Sequence, residues 1–71
     1  MDGSCFYEIR VAGILAERWS DWFEGLEVHP GADGETLLSG PLADQAALFG
    51  VLAKIQALNL TLIAVNRKDE I

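Results

Sequence analysis

The chain has 71 residues, 51% of them apolar, and a formal net charge of −6. A chain this short makes one domain and buries only about 60% of the surface its unfolded form exposes, so its stability alone is marginal. The single Cys5 excludes an intramolecular disulfide, and one Cys with one His (His29) excludes a four-ligand zinc site. The acidic balance and the scattered Arg10, Arg18, Lys54, Arg67 and Lys68 argue against nucleic acid.

Residues 1–4 read as a frayed start. Residues 7–15 alternate, with Tyr7, Ile9, Val11 and Gly13 on one face and Glu8, Arg10 and Ala12 on the other. Period two with β-branched and aromatic residues on one side predicts a strand. From Leu15 to Leu26 the period changes. Leu15, Trp19, Trp22, Phe23 and Leu26 form one helical stripe, and Gly25 supplies the left-handed residue that commonly follows a helix end.

Residues 26–29 predict a short strand, with Leu26 and Val28 on one side and Glu27 and His29 on the other. Residues 30–34 (Pro-Gly-Ala-Asp-Gly) are turn chemistry, and Asp33 followed by Gly34 marks a hairpin. Residues 35–39 return as the next strand. Gly40 and Pro41 are expected to end it, because Pro cannot donate to a ladder.

Asp44 is placed as the N-cap of a helix reaching about Leu58. Its apolar stripe is Leu48, Val51 or Leu52, Ile55 and Leu58, and Ala46, Ala47, Ala53 and Ala57 let it lie close on a sheet. Asn59 can take the left-handed conformation that ends it. Residues 60–66 predict the last strand, apolar on both faces, and residues 67–71 a charged tail.

The order β-α-β-β-α-β predicts an α+β fold, a ferredoxin-like two-layer sandwich with a four-stranded antiparallel sheet and both helices on one face. The other sheet face is then uncovered. Alternation assigns it Glu8, Arg10, Ala12, Glu27 and His29, with either Ile63 and Val65 or Leu62 and Ala64 from the last strand. A one-residue slip would exchange the two sets. Self-association is the compensation open to a small domain without disulfide or metal, and a mixed apolar and charged sheet face predicts a homodimer. A lone thiol and no basic n-region ahead of an apolar stretch read as cytoplasmic. No apolar run approaches the roughly 20 residues of a membrane helix, so no membrane insertion is expected, and no residue pattern calls for a cofactor.

The pattern Tyr7-Glu8-Ile9-Arg10-Val11, Gly13, Leu15, then Trp19, Trp22-Phe23, Gly25-Leu26, then Gly34, Thr36, Leu38, Gly40-Pro41-Leu42 and Asp44-Gln45-Ala46-Ala47-Leu48 covers nearly the whole chain. It resembles a family of short uncharacterised bacterial proteins. The resemblance implies no particular activity. Two positions depart from the family's pattern: Phe49 stands where a His or Tyr is expected, and Asn59 where a Gly is expected. Any proton chemistry at the position after Leu48 would be out of reach of Phe49.

Among candidate sites, Trp19, Trp22 and Phe23 are the heaviest apolar payload, worth roughly 1.5–3 kcal/mol each when buried. At helical spacing they read as core, with Trp22 the member best able to line a pocket or interface edge. His29 and Glu27 are the one pair resembling acid–base machinery, since residues two apart on a strand share a face. The plainer reading is a solvated histidine beside a turn. Cys5, flanked in sequence by Asp2 and Glu8, lacks the electropositive setting of a nucleophile. The glycines belong to no phosphate loop, and the carboxylates lack calcium-loop spacing.

The sequence therefore predicts a non-enzymatic interaction or small-ligand-binding module, with Glu8, Arg10, Trp22, Glu27 and His29 as ligand or interface candidates. Its partners would be a second copy, another protein or a small ligand. The alternative is a small enzyme with a dimer-cleft site around His29, Glu27, Glu8 and Arg10. RNA binding on a similar fold would need exposed aromatics on the central strands. Tyr7 is the one aromatic in a predicted strand, and it points inward.

Overall fold

The computed structural model describes residues 5–31 and 33–68. The expected frayed start (residues 1–4), Ala32 of the expected turn and the last three residues of the expected tail lie outside the described residues. The elements are β1 (Cys5–Ala12), a 3₁₀ helix (Glu17–Phe23), β2 (Glu27–Pro30), β3 (Glu35–Leu42), α1 (Gln45–Ala57) and β4 (Thr61–Lys68). The four strands form one sheet in the order β2-β3-β1-β4, each antiparallel to its neighbours.

Period two in β1 buries Tyr7, Ile9 and Val11, as expected. Register then sets the rest of that layer: Ile9 stands opposite Leu38, Leu38 opposite Val28, and Val11 opposite Thr36. Leu48, Val51 and Ile55 of α1 and Phe23 of the 3₁₀ helix join these residues in one core cluster. The predicted cap of α1 forms, with the Asp44 carboxylate accepting from the Ala47 N–H at 2.9 Å. Asn59 takes the left-handed conformation that ends the helix, at φ 61°.

The segment between β1 and β2 differs from its expected α-helix. It is a 3₁₀ helix, ended by Glu24 and Gly25 in left-handed conformations. Three residues per turn align positions three apart. Ser20 and Phe23 therefore share one line and Trp19 and Trp22 another. Phe23 is fully buried, whereas Trp22 leaves the expected core stripe and is 42% exposed. Both ends of the segment are pinned. The buried Thr36 hydroxyl donates to the Gly13 carbonyl at 2.6 Å and accepts from the Leu15 N–H at 3.1 Å. The Ser20 hydroxyl donates to the Leu26 carbonyl at 2.7 Å.

β3 does not stop at Gly40 and Pro41. It continues to Leu42, with Pro41 opposite Phe6 and Gly40 opposite Tyr7. β2 reaches only as far as Ser39, so the missing Pro41 N–H leaves no group on β2 unpaired. Gly40 has φ 153° and faces the core, where an added Cβ would lie 3.0 Å from Leu26 Cδ2. β4 likewise runs on through Arg67 and Lys68, which pair with Tyr7 and Phe6 rather than forming a tail. A bulge at Ile63 shifts its register: Val65 faces Ile9, and Leu62 faces Val11. Neither expected parity holds along the whole strand, because the extra residue brings Leu62 and Val65 to the same side.

Candidate functional site

Cross-strand register builds the uncovered face row by row. One row runs Glu27, Ser39, Glu8, Asn66, and the next runs His29, Leu37, Arg10, Ala64. Four of the five candidate residues, Glu8 and Arg10 of β1 and Glu27 and His29 of β2, therefore share one face, with β3 between the two strands. Trp22 is apart from them. Its ring meets Trp19 edge-on at 6.2 Å between centroids, and Lys54 Nζ of α1 lies 5.4 Å from the ring centre.

Arg10 and Lys68 on the uncovered face each lie beside a carboxylate, and the His29 ring lies beside Glu27. Lys68 Nζ lies 3.8 Å from Glu8 Oε1, Arg10 Nε 3.7 Å from Glu35 Oε1, and His29 Nε2 3.1 Å from Glu27 Oε1. Beside them is an open hollow of about 180 Å³ lined by Arg10, His29, Asp33, Glu35, Thr36 and Leu37. His29 also borders a second hollow of about 380 Å³, with Ser20, Glu27 and Val28. The His29 and Glu27 side chains are 52% and 76% exposed, so water screens their contact. Among the described residues, no group of three or more His, Cys, Asp or Glu converges as a metal site would require. Cys5 is a half-buried free thiol at the start of β1, opposite Leu42.

Two features of this surface escape the sequence reading. Phe6 belongs to β1, one residue before the expected start, and its side chain is exposed. It shares the parity of Glu8, Arg10 and Ala12, so extending the same alternation backward by one step finds it. An aromatic thus does stand on a central strand, which removes one argument against RNA, although Glu8, Glu27 and Glu35 share its face. The second feature is Ser39, buried in the row between Glu27 and Glu8. A serine beside Gly-Pro reads locally as turn chemistry, and only the continuation of β3 makes it part of the sheet.

No helix among the described residues is long and apolar enough to cross a membrane. A domain family described as of unknown function, DUF8691, matches residues 6–66, and the chain belongs to it. No curated protein and no solved structure gives a significant match.

Proposed function

We propose that this family member is a small interaction module, not an enzyme, which presents the uncovered face of its sheet and associates with a second copy through the sheet. The observation that carries the reading is that no helix among the described residues covers one layer of the four-stranded sheet, where Arg10 and Lys68 each stand within 4 Å of a carboxylate. Arg10 and Lys68 are each held beside a carboxylate and Glu27 adds a third, so the face offers no cationic field for a polyanion. These contacts leave Phe6, Leu37, Ala12 and Ala64 as apolar ground between them, which suits a protein surface. The strand order supports a ferredoxin-like sandwich, with the 3₁₀ helix in place of the first helix and packed, like α1, on the buried layer.

Light scattering over a concentration series tests self-association. A mass of two chains at low micromolar concentration is expected, and a single-chain mass up to millimolar concentration would overturn it. The 3.1 Å contact between His29 and Glu27 favours a second reading, an enzyme at a dimer cleft. It is the weaker one, because a general base needs a partner and a substrate held in a shielded cleft. Loss of binding to a partner in a folded His29→Ala variant would revive the site, and loss of turnover would revive the enzyme.

A further inference from the structure

We infer that two copies meet on the flank formed by α1 and the free edge of β4, their β4 strands pairing antiparallel about an axis between Ile63 and Ala64. This rests on the self-association proposed above and assigns its surface.

The two sheet edges differ in kind. β2 is four residues long, ends in Pro30 and carries Glu27 and His29, features that blunt an edge. β4 is eight residues long, has no proline, and exposes Leu62, Ile63 and Val65. Beside it lies an apolar hollow of about 330 Å³ between α1 and β4, lined by Leu52, Ile55, Gln56, Asn59, Leu60 and Leu62. Leu52 and Gln56 line this hollow, and Phe49, three and seven residues before them, lies on the same side of α1 by helical spacing. From Leu62 to Val65 the strand rises about 10 Å, and from Gln56 back to Phe49 the helix rises about the same. Phe49 is 61% exposed. Four of the chain's exposed large hydrophobic residues share this flank.

Charge selects a second copy as the occupant. The chain has 11 acidic residues, yet none falls between Gln45 and Lys68. α1 and β4 themselves carry no carboxylate, so two chains of net charge −6 that pair along β4 set no acidic side chain of these two elements against another. The uncovered face, by contrast, carries Glu8, Glu27 and Glu35. Pairing about Ile63 and Ala64 sets Leu62 opposite Val65 of the other copy, twice by symmetry. It also holds the two Arg67 positions roughly 23 Å apart along the ladder, more than two screening lengths at about 8 Å each.

Area explains why the helix must take part. A stable interface needs about 800 Å² from each partner, about a sixth of the 4733 Å² that the chain exposes. An eight-residue strand alone falls short of that, and Phe49 with the α1–β4 hollow extends it. The result is a continuous eight-stranded sheet whose uncovered face stays free on both copies.

Sedimentation velocity over a concentration series, on the full chain and three variants, tests this. Leu62→Glu and Phe49→Ser are each expected to weaken the dimer by about tenfold or more. Phe6→Ser, on the uncovered face, should leave it unchanged. Phe49 is exposed, so its truncation spares the core, and circular dichroism verifies the fold of all three. Dimerisation lost only in Phe6→Ser would overturn the flank while keeping the self-associating module. Mass that grows beyond two chains would overturn the two-fold pairing in favour of head-to-tail β4-to-β2 association. A wild-type monomer at every concentration would overturn both this assignment and the self-association behind it.

Discussion

At the scale of single residues, Thr36 carries more than its place in a strand suggests. It is 1% exposed, and its hydroxyl bonds both sides of the bend that follows β1. Thr36→Val keeps the shape but strands the Gly13 carbonyl and the Leu15 N–H. A loss of about 1–3 kcal/mol is expected from urea unfolding, with Thr36→Ser retaining most of it. Asp44 is the simpler case, because its role is local. Asp44→Ala removes the bond to Ala47 and should cost about 1 kcal/mol by the same measurement, while Asp44→Ser should cost much less. The cap was legible because the cue and its consequence lie three residues apart. Thr36 was not, because its partners lie 21 and 23 positions away in the chain.

At the scale of elements, the segment from Glu17 to Phe23 shows how a hydrophobic stripe can suggest the wrong helix. Leu15, Phe23 and Leu26 are buried as the stripe requires, but tighter winding turns Trp22 outward. Its exposed ring is then held by a bridge between elements. Lys54 of α1 lies over the ring and 2.7 Å from Glu24 Oε2. This clamp ties the 3₁₀ helix to α1 and gives Trp22 a packing role. A double-mutant cycle on Trp22→Leu and Lys54→Met should return a coupling of about 0.5–1 kcal/mol from the cation over the ring. Zero coupling would mean that the two elements are held by their buried residues alone.

At the scale of the whole molecule, the domain is small enough for association to matter to its stability. If two copies share the α1–β4 flank, mass action makes the melting temperature rise with protein concentration. Calorimetry over a hundredfold concentration range should show that rise in the wild type, and in Phe49→Ser only at concentrations about tenfold higher or more. A melting temperature independent of concentration in both would separate folding from dimerisation. The hydroxyl of Thr36 and the clamp at Trp22 lie away from this flank, so their effects should add to it within a few tenths of a kcal/mol.

The sequence by itself determined what depends on near neighbours. The buried side of β1, the cap at Asp44, the left-handed Asn59 and the sharing of a face by Glu27 and His29 all follow from spacings of a few residues. Family membership also follows from the sequence, since the family model matches residues 6–66. Tertiary structure decided what depends on a distant partner. Pro41 stays in β3 because β2 ends before it, and Arg67 and Lys68 stay in β4 because β1 begins early enough to pair with them. The bulge at Ile63 puts Leu62 and Val65 on one side, which no strict alternation could assign. Propensity and period act within one turn or one pleat, whereas register is set by hydrogen bonds between strands far apart in the chain. The apolar flank of α1 and β4 arises at that second level.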